Sequence, residues 1–296
     1  MVKQRVKAII SDYDGTLVPI AHVKDTGTNA ILTELEDILG DISAEIPVSV
    51  ISTKDIEFLA KKVTFARVIS CIGGIETLVL TTHAFSRIIE KRILHADLVA
   101  LQMNSKVLEA VAEEIFSCKD FSDMLIERKH TSDGILAGLT VDWRHHPSDD
   151  WSYYRRGTTH FISSIVANLK KPPVPVYIYV RKYSMHPFVD IYSTECNKGM
   201  AFDTIIAELA YASANGKGTL YLGDSENDNP AFRKAGVSLG IRSDARVNPK
   251  LDCSYFLNYG QLSSFLKKLR NNDYLFSEEL LGEAKAYDQA QNGMGQ

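Results

Sequence analysis

Apolar residues run through this chain in two rhythms. Short unbroken runs at residues 6–11, 47–52 and 67–74 are bounded by turn residues and read as buried strands. Ile31, Leu32, Leu35, Ile38 and Leu39 recur at helical spacing, which predicts a helix over residues 28–39 with Gly40 as its stop. Residues 54–63 predict another helix. Strands alternating with helices imply parallel pairing and an open α/β sheet.

The rhythm changes near residue 80. Residues 104–117 read as a helix, and 124–130 and 135–144 as two strands joined by the turn-rich stretch 131–134. A helix follows over 151–169, with Phe161, Ile162, Ile165, Val166 and Leu169 on one stripe. Prolines 172, 173 and 175 break the chain before a second strand pair at 176–184 and 187–194. Helix–strand–strand thus occurs twice, which suits an antiparallel sheet with helices on one face. Alternation then returns: a helix over 198–214, strands at 219–225, 236–241 and 253–257, and a helix over 262–270. The predicted fold class is α/β, a Rossmann-like parallel-sheet core (residues 1–80 and 190–270) split by an inserted α+β domain (81–189). Residues 271–296 read as a tail, partly helical around 277–287 and frayed beyond.

Composition narrows the function. With 296 residues, 45% of them hydrophobic, the chain is long enough for a sizeable core. A net charge of −4 argues against nucleic acid as a partner. No apolar run is long enough to span a membrane, and the N-terminus lacks the apolar stretch of a signal peptide. Cys71, Cys118, Cys196 and Cys253 form no CxxC pair, so they read as reduced thiols of a cytoplasmic protein.

Four stretches fall where ligands bind in open α/β sheets, at strand C-terminal ends or at the start of the next helix. Asp12-Tyr13-Asp14-Gly15-Thr16 puts two carboxylates on one side of an extended chain, with backbone N–H groups behind them. It is either an exposed acidic turn or a magnesium–phosphate site, since Mg2+ offsets carboxylate repulsion and takes substrate oxygens. Asp224, Glu226, Asn227 and Asp228 follow another apolar strand, as a second acidic set or a loop of local Asx turns. Ser52, Thr53 and Lys54 follow the second strand, where a hydroxyl holds a phosphate oxygen or caps a helix. Lys198 opens a helix, against the helix dipole, and faces either solvent or an anion. His145 and His146 are adjacent and, as strand residues, are expected on opposite sides, which argues against a joint metal site. The cluster Tyr153-Tyr154-Arg155-Arg156 reads as a helix start with mixed packing.

Taken in order, the four stretches resemble the haloacid dehalogenase-like phosphohydrolases, and the insertion resembles that family's type-2 cap. Within the family the chain looks most like the trehalose-6-phosphate phosphatases, through Glu127, Lys129 and Arg144, with Trp143 in the aromatic place. It departs from that branch at Ser52-Thr53-Lys54 and at Glu76, where a preceding histidine is missing. The resemblance implies Asp12 as nucleophile, Asp14 as general acid and base, and Lys198 as the catalytic lysine. It implies Mg2+ held by Asp12, Asp14, Asp224 and Asp228. It implies a sugar phosphate held by Gly15, Thr16, Ser52, Thr53, Lys54 and Asn227, with Glu127, Lys129 and Arg144 reading the sugar. Besides hydrolysis, the same scaffold supports a phosphotransferase, a mutase or a non-catalytic sugar-phosphate binder. A monomer or weak homodimer is expected.

Overall fold

The computed structural model describes residues 3–19, 30–83, 86–121, 123–169, 178–183, 186–210, 215–242 and 250–286. Its first part runs β1 (Gln4–Arg5), β2 (Ala8–Ser11), α1 (Thr33–Ser43), β3 (Val48–Ile51), α2 (Ile56–Leu59), β4 (Val68–Cys71), β5 (Glu76–His83) and β6 (Ser86–Leu94). The middle runs α3 (Leu98–Ser117), β7 (Leu125–His130), β8 (Leu136–Asp142), α4 (Trp151–Leu169), β9 (Tyr179–Lys182) and β10 (Phe188–Tyr192). The last part runs α5 (Lys198–Leu209), β11 (Thr219–Gly223), α6 (Asn229–Phe232), β12 (Val237–Arg242), β13 (Tyr255–Asn258), α7 (Leu262–Asn271) and β14 (Leu275–Phe276).

A central sheet of eight strands has the order β13-β12-β11-β2-β3-β4-β5-β6. It is parallel from β13 to β4, and the hairpin of β5 and β6 continues it antiparallel. Continuous apolar runs fit strands covered on both faces. Ile9, Val48, Val50, Ile69 and Leu222 pack on one face with Leu35, Leu39, Phe265 and Leu266 from α1 and α7. Ile10, Ile51, Val68 and Tyr221 pack on the other with Phe202 and Ile205 of α5 and Phe232 of α6. The chain leaves β2 toward β3 on one side and returns as β11 on the other. The C-terminal ends of β11, β2 and β3 therefore meet at a switch point in strand order, where open sheets bind ligands.

A second sheet, β7-β8-β10-β9, is wholly antiparallel. Leu139, Val141, Val189 and Ile191 on one face pack against Leu108, Val111 and Ile115 of α3 and Ile162 of α4. The alternate positions Glu127, Lys129, Thr140, Asp142, Arg181 and Asp190 lie on the opposite face, which is polar.

Several elements differ from the pattern expected of them. The first helix begins at Thr33 and passes through Gly40, because Ile42 continues the buried stripe of Leu35, Ile38 and Leu39. Leu32, counted in that stripe, sits at the N-cap and is exposed. Residues 28–29 lie outside the described residues. The helix expected over 54–63 is a single turn capped by Asp55, which accepts a hydrogen bond from Phe58 N at 3.0 Å. The helix expected from residue 104 starts at Leu98, where Asp97 caps it by accepting from Ala100 N at 3.0 Å. For the helix expected over 198–214, residues 211–214 lie outside the described ones.

Strand pairing also redraws the division between the sheets. Residues 86–94, expected in the insertion, belong to the large sheet, and 190–192, expected in the core, belong to the small one. The tail is helical over Glu278–Ala286, as expected, and as far as it is described it is tied to the core. β14 pairs with β1, Val6 N donates to Tyr274 O at 2.8 Å, and Phe276 and Leu281 are buried in the core.

Candidate active site

The site grows out of the end of β2. Asp12 N donates to Leu222 O at 2.9 Å, which carries the pairing with β11 one residue past the strand and fixes the Asp12 backbone. The chain then turns: Gly15 N donates to Val18 O at 2.7 Å, and Gly15 takes φ +84°. Only glycine fits there, since a Cβ would lie 2.0 Å from Asp224 Oδ2. Thr16 is fully buried and donates to Asp224 Oδ1 at 3.2 Å.

Lys198 Nζ stands at the centre, 2.8 Å from Asp12 Oδ1 and 2.8 Å from Asp228 Oδ1. It is 1% exposed, so the anion that a lysine at a helix start requires is present inside the protein. Asn197 caps α5 by accepting from Met200 N at 2.9 Å and so sets the lysine's position. Asp12, Asp224 and Asp228 bring carboxylate oxygens within 4.8 Å of one another. Burial pushes the Asp12 carboxyl up to about 7; Lys198 pulls it down, while Asp228 and Asp14 add to the rise. Asp224 is likewise pushed well up, by burial and by the neighbouring Asp12 and Asp228. Lys198 is held above its ordinary value: burial works against its charge, and Asp12 and Asp228 outweigh it. One lysine therefore stands against several carboxylates, and the donor set is all oxygen.

Asp228 differs from its neighbours. Its Oδ1 accepts from Lys198 Nζ and from Tyr221 OH at 2.6 Å. Its Oδ2 accepts from Asp224 N at 3.2 Å and from Ser225 N and Oγ at 3.0 Å each. With both oxygens so occupied, this carboxylate shapes the loop that presents Asp224.

Ser52 follows β3 and is 1% exposed. It is not a helix cap, that role falling to Asp55; its Oγ accepts from Lys54 N at 3.1 Å, and among the described residues its O–H has no acceptor. Thr53 lies beside it and is half-buried. Lys54 pairs with Glu127 of the small sheet, at 2.8 and 2.9 Å.

Three further contacts join the polar face of the small sheet to the large one. Arg181 NH1 donates to Asn227 Oδ1 at 2.8 Å and NH2 to Cys196 O. His130 N donates to Asp55 Oδ2 at 3.4 Å. Glu76 is fully buried and accepts from Ser132 N at 3.1 and 3.0 Å, Ser132 Oγ at 2.7 Å and Arg92 Nε at 2.6 Å.

The residues expected to read a sugar are distributed unevenly. Glu127 is exposed, Arg144 folds back on Asp142 at 2.5 Å, and Lys129 is 1% exposed in an ion pair with Asp190 at 3.2 Å. Asp190 is held below its ordinary value: burial raises it, and Lys129, Thr140 and Tyr183 outweigh that. Trp143 is fully buried on the helix-facing side. His145 and His146 do not point to opposite sides. β8 ends at Asp142, so strand alternation no longer governs them, and both rings reach Asp123.

Solved structures match across most of the chain. It is similar to a trehalose-6-phosphate phosphatase related protein at 16% identity and a TM-score of 0.57, covering 90% of this chain and 97% of that one. It is similar to the C-terminal domain of C. albicans trehalose-6-phosphate phosphatase at 18% identity and a TM-score of 0.63, covering 91% and 94%. The chain has the haloacid dehalogenase-like fold. A haloacid dehalogenase-like hydrolase from Bacteroides thetaiotaomicron matches at 13% identity and a TM-score of 0.57, covering 90% and 100%. No protein-family model matches the chain, and no curated protein matches it by sequence.

Two residues of this haloacid dehalogenase-like fold escaped the sequence reading. Arg181 and Asp190 lie on separate strands in no motif. Period-2 alternation in 187–192, which sets Asp190 between inward apolar residues, was the available signal for Asp190. Arg181 had none, because its partners Cys196 and Asn227 are distant in sequence.

Proposed function

We propose that the protein is a magnesium-dependent sugar-phosphate phosphatase. The observation that carries this reading is Lys198, buried between Asp12 and Asp228 with Asp224 beside them. Such a concentration of buried negative charge at a sheet's switch point suits a dication and a phosphate ester.

Asp12 is the nucleophile. An Asp12 oxygen forms a bond to phosphorus, the bond from phosphorus to the sugar oxygen breaks, and its electron pair leaves with that oxygen. Asp14 gives the departing oxygen its proton. Asp14 then takes a proton from water as water attacks phosphorus, which frees Asp12 and inorganic phosphate. Lys198 favours the ionised form of Asp12 and offsets the approach of the phosphate. Ser52 and Thr53, with the backbone N–H of Thr16, hold phosphate oxygens; the Gly15 N–H, expected to join them, is taken by Val18 O. Asp12, Asp224 and the backbone carbonyl of Asp14 would hold Mg2+, with Asp228 fixing the Asp224 loop. Bound there, Mg2+ supplies charge neutralisation for the transferring phosphoryl group.

The polar face of the small sheet reads the sugar. The residues that would do so are Glu127 with Lys54, Arg144, and Asn227 with Arg181. Trehalose 6-phosphate is the substrate we favour, on the resemblance carried by Glu127, Lys129 and Arg144; of these, Glu127 and Arg144 are exposed enough to meet a polyol. The pairing of Lys129 with Asp190 and the departures at Lys54 and Glu76 favour a second set: sucrose phosphate and the glucosyl- or mannosyl-3-phosphoglycerates. A panel of these esters, assayed for phosphate with Mg2+ and with EDTA, tests the reading. Turnover of a panel member should require Mg2+ and vanish in Asp12→Asn. Tight ligand binding without turnover would make the protein a binding module instead, and transfer to a sugar acceptor outrunning hydrolysis would make it a phosphotransferase.

A further inference from the structure

We propose that Asp123, His145 and His146 form a second metal site, on the outer end of the small sheet, for a transition-metal dication such as Zn2+. His146 N donates to Trp143 O at 3.0 Å, so residues 143–146 form a turn and the two imidazoles converge. His146 Nε2 is 3.0 Å and His145 Nε2 3.8 Å from Asp123 Oδ2, and the three ligand atoms all lie within 4.8 Å of one another. Ligands ~2.0–2.1 Å from a tetrahedral Zn2+ stand roughly 3.4 Å apart, a spacing these distances bracket.

The ligands are positioned by their surroundings. The His146 ring stacks on Tyr154, centroids 4.2 Å apart at 28°, and its carbonyl oxygen accepts from Trp151 Nε1 at 3.0 Å. His145 lies against His146, centroids 4.2 Å apart. His146 Nε2 is buried and has no hydrogen bond of acceptable geometry among the described residues, although Asp123 is close; this nitrogen is the second sign of a missing ligand. Two imidazoles and one carboxylate select Zn2+, Ni2+, Co2+ or Cu2+ over Mg2+, which prefers an all-oxygen set such as that at Asp12. His145 and Asp123 are 38% and 56% exposed, so water can complete the coordination. A bound ion would join the segment before β7 to the turn after β8 and brace the small sheet.

The test uses the full chain with excess Mg2+ to occupy the carboxylate site. Zn2+ is titrated while the histidine side-chain nitrogens are followed by NMR and the heat by calorimetry. The proposal expects one Zn2+ per chain to shift His145 and His146 together, and a thermal midpoint that rises with Zn2+. Asp123→Asn, His145→Gln and His146→Gln should each weaken this binding by at least about tenfold. Retention of the same Zn2+ binding in the His145→Gln/His146→Gln double variant overturns the proposal. So does the absence of any Zn2+-dependent change at these two rings in the wild-type protein, a readout that needs no variant to fold.

Discussion

Replacing Lys198 by Met removes the cation between Asp12 and Asp228 while keeping much of the side chain's volume. Both ion-pair contacts are 2.8 Å long and fully buried, so the loss leaves uncompensated charge inside the protein. Breaking such a buried pair costs about 3–5 kcal/mol. The cost should depend on pH, with a definite sign. The Asp12 carboxyl is raised from 3.8 to about 7, so between those values the folded state binds a proton that the unfolded state has released. The metal-free protein therefore loses stability from this group as pH rises from near 3.8 to about 7, by an amount on the order of 4 kcal/mol. At about pH 5 Asp12 is already protonated in the wild type, so Lys198→Met breaks one ion pair, to Asp228, rather than two, and should cost less than at higher pH. At about pH 8 Asp12 is ionised in the wild type and the full ~3–5 kcal/mol should appear. Urea unfolding in EDTA at the two pH values measures this, and added Mg2+ should recover part of the loss at the higher pH. An equal cost at both pH values, or a variant more stable than wild type at the higher one, would refute the electrostatic account of the site.

Gly15→Ala puts a Cβ 2.0 Å from Asp224 Oδ2 and strains φ +84°; phosphate release should fall by about a hundredfold, with a higher Mg2+ requirement in a metal titration. Glu76→Gln removes the charge that Arg92 and Ser132 share at the joint between the sheets, and should lower stability in urea by roughly 1–3 kcal/mol. The Lys54–Glu127 pair is 20% and 43% exposed, so a double-mutant cycle in urea should give a coupling of only about 0.2–1 kcal/mol. Substituting either residue should raise KM for a sugar phosphate more than it changes stability, since Lys54 follows Ser52 and Thr53 directly after β3.

The large sheet and the four motifs at its edge were legible because each rests on local pattern. A strand ending just before Asp12, another ending near Asp224 and a helix opened by Lys198 all announce themselves within a few residues. Motif position did not reveal how each member acts. Asp228 and Asp224 look equivalent in sequence, yet Tyr221, Ser225 and Lys198 occupy the oxygens of Asp228 and not those of Asp224. The resemblance sets Lys129 to read the sugar, yet the residue is buried against Asp190, 61 positions away. Gly40 reads as a stop, but nothing lies within 4 Å of where its Cβ would stand, and the stripe that includes Ile42 carries the helix past it. His145 and His146 were separated by an alternation rule that lapses where β8 ends. Each of these depends on tertiary contacts, whereas the motifs depend on the order of elements.

The central claim is that Asp12 is phosphorylated by the substrate. During turnover of an accepted sugar phosphate with Mg2+, an acid quench followed by borohydride reduction converts an acyl phosphate to the alcohol, here homoserine. Peptide mass spectrometry should find homoserine at residue 12 and at no other aspartate, and none when Mg2+ is withheld. Sustained phosphate release under conditions that trap such intermediates, with Asp12 unmodified or with the label at another residue, would contradict the account.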